Sequence, residues 1–363
     1  MKIVMLGCGG FIGSHLLDRL LPTGNYEIYG WDPCYRKIEK HLAHPSFSLT
    51  KNTTTSEKHF GLLKEQIAES DMVINLAAIC NPAEYNTRPL AVIQSNLFDV
   101  YPIVEVCAEQ KKWLMSFSTS EVYGRTLASY MPDNTYSDSS LYELAEDETP
   151  LIMGPVRNQR WTYACAKQMV ERLIFAHHDE NGLPFTIIRP LNFFGPRMDY
   201  IPGRDGDGIP RVLACFMTAL MDNTPLKLVD GGKAMRTILS IHEAVEAMEL
   251  MLQKPDKAQN QIFNLGNRNN EVTMEGLAKL MRKVYADITS DPSYLDHAIE
   301  VIDSESFYGK GYEDCDRRMP DISKAQTLLG WNPKRGLDEI LHETMKYYYD
   351  EYVGEPAPLA AAA

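Results

Sequence analysis

The chain has 363 residues, 44% of them hydrophobic, and a formal net charge of -13: enough apolar material for a sizeable core, spread over two domains or one large α/β domain. So acidic a balance argues against nucleic acid as a partner, and any anionic ligand must be held by a local cluster of Arg and Lys. Seven scattered cysteines without C-x-x-C spacing point neither to a disulfide framework nor to a zinc site, and read as reduced thiols. The first element, "KIVMLG", reads as a buried strand with no secretory flank, and no apolar run approaches the roughly 20 residues that span a bilayer, so a cytoplasmic address without a membrane partner is expected.

That strand runs straight into "GCGGFIGSHL", with glycines at Gly7, Gly10 and Gly13, and then into a helical pattern. Glycine suits this place because the backbone must turn tightly and approach a pyrophosphate seated at the positive end of the helix. A second strand, "YEIYGWD", ends on Asp32, where a carboxylate can accept hydrogen bonds from an adenosine ribose. The same carboxylate repels a 2′-phosphate, so NAD is expected over NADP; Arg36 is the nearest following arginine.

"MVINLAA" and "WLMSFST" follow as the third and fourth of these strands, and "FTIIRP" as the fifth. Between them "LAVIQSNLFDVYPIVEVCAEQ" and "TYACAKQMVERLIFAHH" carry apolar residues at helical spacing. The alternation predicts an α/β chain: a Rossmann-type doubly wound parallel sheet with a smaller, discontinuous substrate-binding domain. After "IIRP" comes a Gly/Pro-rich connection, a helix from Arg211, and "QIFNLG", which reads as a return to the first sheet. The expected division is 1–190 plus about 237–267 for the dinucleotide, about 191–236 plus 268–352 for the substrate, and 353–363 as a flexible low-complexity tail.

Of nineteen tyrosines only Tyr163 has a lysine four residues on, Lys167, which puts the two on one helical face. An ammonium near a phenol lowers the phenol's pKa and makes it a usable base near neutrality. "FSTSEVYG" adds Thr119, Ser120 and Glu121 at the carboxyl end of the fourth strand, the edge at which open parallel sheets bind ligands.

The glycine pattern, the Ser/Thr run and Y-x-x-x-K together resemble the extended short-chain dehydrogenase/reductase family, whose members act mostly on nucleotide sugars. "STSEVYG" with "YGKGYEDCDRRMPD" is more specific, and resembles the UDP-glucuronate decarboxylase and UDP-apiose/UDP-xylose synthase group, including the decarboxylase domain of the bifunctional polymyxin-resistance enzyme. The resemblance implies NAD as cofactor, with Gly7, Gly10, Phe11, Ile12, Gly13, Asp32, Ala77, Asn96, Tyr163 and Lys167 around it. It implies UDP-glucuronic acid as substrate, oxidised at C4 by Tyr163 with Lys167 and Thr119. Arg318 and Arg160 are then the candidates for its carboxylate, Glu121 for a proton at C5 and Ser120 for a hydrogen bond to the sugar. Substrate contacts are implied for Cys80, Tyr85, Asn192, Lys227, Arg236, Tyr312 and Asp314. No metal is implied, and a homodimer through helices beginning near Leu90 and Thr162 is. Products would be UDP-4-keto-pentose, UDP-xylose or both; the alternatives are UDP-apiose by ring contraction, a nucleotide-sugar 4-epimerase, and an NAD-sensing regulator on the same fold.

Overall fold

The computed structural model describes residues 1–53, 57–131, 137–206, 208–308, 313 and 315–354. Seven parallel strands form the main sheet: β1 (Lys2–Leu6), β2 (Glu27–Trp31), β3 (Phe47–Thr50), β4 (Met72–Asn75), β5 (Trp113–Phe117), β6 (Phe185–Pro190) and β7 (Gln261–Leu265). Their spatial order is 3-2-1-4-5-6-7, so the chain reverses direction of travel between β1 and β4 and leaves a crevice at the carboxyl ends of those two strands. The strand ending at Phe117 is therefore the fifth and not the fourth. Phe47–Thr50 intervenes, a four-residue strand too short to show a period of its own.

Eight principal helices are α1 (Phe11–Leu20), α2 (Glu57–Glu69), α3 (Tyr101–Glu109), α4 (Thr162–Asn181), α5 (Val212–Met221), α6 (Ile241–Gln253), α7 (Met274–Thr289) and α8 (Leu337–Tyr352). Side chains alternate faces along each strand, and the sequence supplies apolar groups for both faces. Ile3 and Met5 of β1 join the core under α1 and α6, whereas Val4 and Leu6 join the one under α2, α3 and α4. A third core, with Leu213, Met217, Met281, Leu341 and Met345 fully buried, binds α5, α7 and α8 together. Burying one such side chain contributes about 1.5–3 kcal/mol.

A smaller four-stranded sheet lies in the order Glu271–Thr273, Met235–Thr237, Arg317–Pro320, Glu143–Leu144. Its last strand comes from inside the 1–190 span, so it draws on segments far apart in sequence. Arg236 and Arg318 are register partners in its parallel central pair.

The stretch leading into α3 differs from the continuous helix its sequence predicts: Pro89–Ile93 is α-helical and Gln94–Phe98 is a π turn before α3 starts. Pro102 lacks the N–H that a continuous helix would need there. By length and composition the whole run Pro89–Glu109 is apolar enough to cross a membrane, which corrects the expectation that no apolar run approaches that length. All seven cysteines are free thiols.

Candidate active site

The glycine-rich turn is tight for identifiable reasons. Gly7 has φ 80°, and a Cβ there would meet the Ala77 nitrogen at 2.8 Å; at Gly13 a Cβ would meet the Cys8 carbonyl oxygen at 2.6 Å. Either residue as alanine would close the cradle or push α1 off the sheet. Gly7, Gly10, Asp32, Asn52, Ala77 and Ser95 help line a cavity of about 310 Å³ at the β1/β4 crevice. Asp32 accepts hydrogen bonds from the Gly9 and Cys34 backbone N–H groups at 2.9 and 2.8 Å, which fixes its carboxylate at the rim, and burial raises its pKa. Arg36 points elsewhere, towards Asp205 (3.7 Å) and Glu351 (3.4 Å). The cradle, the aimed carboxylate and the cavity fit a dinucleotide lacking a 2′-phosphate. Phe11 and Ile12 form the half-buried first turn of α1.

Asn96 sits behind this cavity rather than in it. It is fully buried, and its amide donates to the Ile79 and Val92 carbonyls at 2.8 and 3.0 Å. With the adjacent Ser95 hydroxyl accepting from Ile79 N at 3.2 Å, the π turn pins both polar groups of Ile79, the residue before Cys80.

β5 delivers Ser118, Thr119 and Ser120 at the sheet edge, all at least nine-tenths buried. Thr119 Oγ1 accepts from Glu121 N at 3.1 Å and so caps the short turn Ser120–Tyr123. Tyr123 anchors that turn to β7 through its hydroxyl, which donates to Asn264 Oδ1 at 2.8 Å. From α4, Tyr163 meets the Thr119 hydroxyl, and its ring stacks on Tyr85 with centroids 4.9 Å apart. Lys167 donates to the Phe117 carbonyl at 2.9 Å, and its ammonium lies 6.0 Å from the Tyr163 ring.

The electrostatic balance at the phenol differs from the expectation of a lowered pKa. Burial pushes Tyr163 well above the usual range, with Cys80 and Glu121 pushing the same way; the Thr119 hydrogen bond and the Arg211 guanidinium pull against them. Burial also brings Lys167 down to about 8, which weakens its ammonium as a partner.

Glu121 joins the two predicted arginines. Arg160 grips its carboxylate with both terminal nitrogens, at 2.5 and 2.8 Å, and Arg318 Nη1 lies 3.6 Å from the same group. Arg318 is 5% exposed, and among the described residues its Nε and Nη2 are buried without a hydrogen-bond partner. Trp161 Nε1 donates to Glu313 at 2.9 Å and ties the segment bearing Arg318 to the start of α4.

The remaining substrate candidates are less concentrated. Asn192, at φ 47°, donates to the Thr237 carbonyl; Arg236 donates to the Met235 and Cys315 carbonyls; Lys227 is exposed on its strand; Cys80 is exposed beside Tyr85, whose hydroxyl donates to its carbonyl at 3.1 Å. Tyr312 and Asp314 lie outside the described residues. Sequence reasoning missed Arg211, which acts electrostatically on both Tyr163 and Cys80. Its signal was its place as the one cation ending the Gly/Pro-rich connection at the mouth of a helix. Among the described residues no three His, Cys, Asp or Glu side chains form a metal-binding group.

Sheet order, glycine cradle and Tyr–Lys pair define a dinucleotide-dependent protein of the short-chain dehydrogenase/reductase class. Residues 3–266 match the NAD dependent epimerase/dehydratase family, and the chain belongs to it, with NAD as its cofactor. Among similar proteins, a UDP-D-apiose/UDP-D-xylose synthase of Oryza sativa subsp. japonica is 48% identical over 97% of this chain and 90% of its own length. UDP-D-apiose/UDP-D-xylose synthase 2 of Arabidopsis thaliana is 47% identical over 97% and 92%. The PbgP3 protein from Burkholderia pseudomallei superposes with a TM-score of 0.80 at 29% identity over 96% of both chains. A Bacillus cereus UDP-glucuronic acid 4-epimerase, solved with UDP-glucuronic acid and NAD, shares the fold with a TM-score of 0.77 at 20% identity, over 97% of this chain and 100% of that one.

Proposed function

We propose that the chain is an NAD-dependent decarboxylase of UDP-glucuronic acid, yielding UDP-4-keto-pentose, UDP-xylose or both. The observation that carries this reading is Arg318: a guanidinium nine-tenths buried, beside Glu121, with two nitrogens that find no partner among the described residues. An unsatisfied charged donor in that position suits a substrate carboxylate, which a guanidinium binds through two parallel bonds.

NAD supplies the hydride acceptor for oxidation at C4. Tyr163 draws the proton from the C4 hydroxyl, with Thr119 and Lys167 holding the phenol in place. The resulting ketone stands β to the carboxylate, so carbon dioxide can leave with its bonding electrons delocalised into an enolate. Arg318 and Arg160 hold and align the departing carboxylate, Glu121 or a water it orients moves the proton at C5, and Ser120 hydrogen-bonds the sugar; the product is then UDP-4-keto-pentose, and UDP-xylose forms only if the hydride returns to C4 with the proton held by Tyr163. Cys80 and Tyr85 flank the sugar, and Asn192, Lys227 and Arg236 hold the nucleotide side, in a domain of about 191–236 plus 268–352.

A second reading, ring contraction to UDP-apiose, is favoured by the names of the plant relatives and by the Cys80 thiol beside Tyr163. Ser120 weighs against apiose as the main product, because a hydroxyl is a far weaker acid than a thiol.

A homodimer is supported by exposed Leu90, Phe98 and Tyr101 on the Pro89–Glu109 run and exposed Met169 and Phe175 on the adjoining α4. Free thiols agree with a cytoplasmic site of action. Incubation with NAD and UDP-glucuronate, with separation of the sugar products and absorbance of free NADH, tests the reading. Pentose products support it; unchanged substrate refutes it.

A further inference from the structure

The Gly/Pro-rich connection is braced by the last helix. Tyr348 of α8, fully buried, donates its hydroxyl hydrogen to the Asp199 carbonyl at 2.9 Å and accepts from Asp199 N at 2.7 Å. Asp199 Oδ2 in turn accepts from the backbone N–H and Nε of Arg211, at 2.9 and 3.2 Å, while Arg211 Nη2 donates to the Met198 carbonyl at 2.9 Å. A phenol gripping both polar groups of one residue, and that residue's carboxylate gripping both ends of an arginine, leave the guanidinium little freedom.

The braced arginine belongs to a connection that meets both the first turn of α1 and the β4 end. Its guanidinium carbon lies 6.0 Å from the centre of the Phe11 ring, at the first turn after the glycine loop. The same connection reaches the β4 end, where Asn81 Nδ2 donates to the Tyr200 hydroxyl at 3.4 Å, one residue past Cys80. Tyr85 and Lys167 lie against Tyr163, Thr119 hydrogen-bonds it, and Cys80 from the β4 end, Glu121 from the β5 end and Arg211 act on it electrostatically. Facing Arg211 are Asp199, Cys80, Tyr348 and Lys37. In that ring Arg211 is a full positive charge opposing Cys80 and Glu121.

We propose that Asp199 and Tyr348 are positioning residues that hold the Arg211 guanidinium against the Tyr163 end of the site, where it stabilises the negative charge Tyr163 gains on drawing the substrate proton. The inference rests on the reading of Tyr163 as the base. It couples the C-terminal helix, remote in sequence, to the oxidation step.

The test is the pH profile of initial NADH formation with saturating NAD and UDP-glucuronate. Arg211→Gln should move the acid limb to higher pH by about one unit, since losing a nearby cation disfavours the phenolate. Arg211→Lys should restore most of that shift. Tyr348→Phe and Asp199→Ala should move the limb in the same direction. An acid limb unmoved in Arg211→Gln overturns the proposal, as does a rate lowered by one factor at every pH in Tyr348→Phe and Asp199→Ala. Should those two fail to fold, Arg211→Gln and its lysine counterpart decide. Full NADH formation by Tyr163→Phe would be a different failure, that of the base assignment itself.

Discussion

Arg160 holds the Glu121 carboxylate in a two-pronged ion pair, at 2.5 and 2.8 Å, inside the cleft where Tyr163 and Arg318 also end. A carboxylate so bound is a poor base until another anion draws the guanidinium away. On the proposed reading the substrate carboxylate is such an anion, and its arrival would both dock the sugar and release Glu121 for proton transfer at C5.

This separates the two halves of the reaction. Tyr163→Phe is expected to abolish NADH formation. Glu121→Ala and Arg318→Ala should slow carbon dioxide release about 100-fold or more, the scale of a positioned acid or base, while NADH still forms. Stopped-flow absorbance and carbon dioxide capture on the same samples check this, and parental decarboxylation in both variants would reverse the roles.

Asp32 is predicted to make NAD bind at least ~10-fold more tightly than NADP, about 1.4 kcal/mol, because its carboxylate is fixed at the rim by two backbone N–H groups and Arg36 is turned away. Titration of both dinucleotides into the parent and into Asp32→Asn measures it; equal affinities in the parent contradict it.

Much of this was legible in the chain because it depends on local pattern. Gly7 and Gly13 must be glycine for steric reasons, and the pairing of Tyr163 with Lys167 follows from helical spacing. What depends on tertiary neighbours was not legible. Asn96 shares a helical run with residues at the cavity, and only the π turn at Gln94–Phe98 turns its amide to the Ile79 carbonyl. The raised phenol of Tyr163 could not be read from Lys167 alone, because burial and Cys80 act across the fold. Arg211 stood out only as the cation at the end of the Gly/Pro-rich connection, and its ties to Asp199 and Tyr348 became visible only in the fold.

Lys167 carries a stability cost. Burial holds its pKa at about 8, against 10.5 for the free group. The unfolded chain therefore binds more protons between those values, and this residue's contribution to stability rises with pH across that window; below pH ~8 the full penalty is present. Lys167→Met should be inactive yet more resistant to urea at pH ~7, by on the order of 1–3 kcal/mol, with the advantage shrinking towards pH ~10. Urea titrations at the two pH values decide it, and a variant less stable at both would contradict it.

Ser120 is buried at the β5 edge between Thr119 and Glu121. Ring contraction needs an additional proton transfer near the 3-hydroxyl, and a thiol with pKa about 8.5 is better placed for it than a hydroxyl. The parent is predicted to make little UDP-apiose and Ser120→Cys to make more. NMR of the products would show this, and apiose as the main product of the parent would shift the ring chemistry to Cys80 and Glu121.

The most direct measurement follows the carboxyl carbon itself. UDP-glucuronic acid labelled with ¹³C at C6, incubated with the protein and NAD, is predicted to lose its labelled signal from the sugar and yield labelled bicarbonate together with an unlabelled UDP-pentose. Retention of the label in a uronic acid inverted at C4 would contradict the account, and would make the meeting of Glu121, Arg160 and Arg318 a site that holds a carboxylate without removing it.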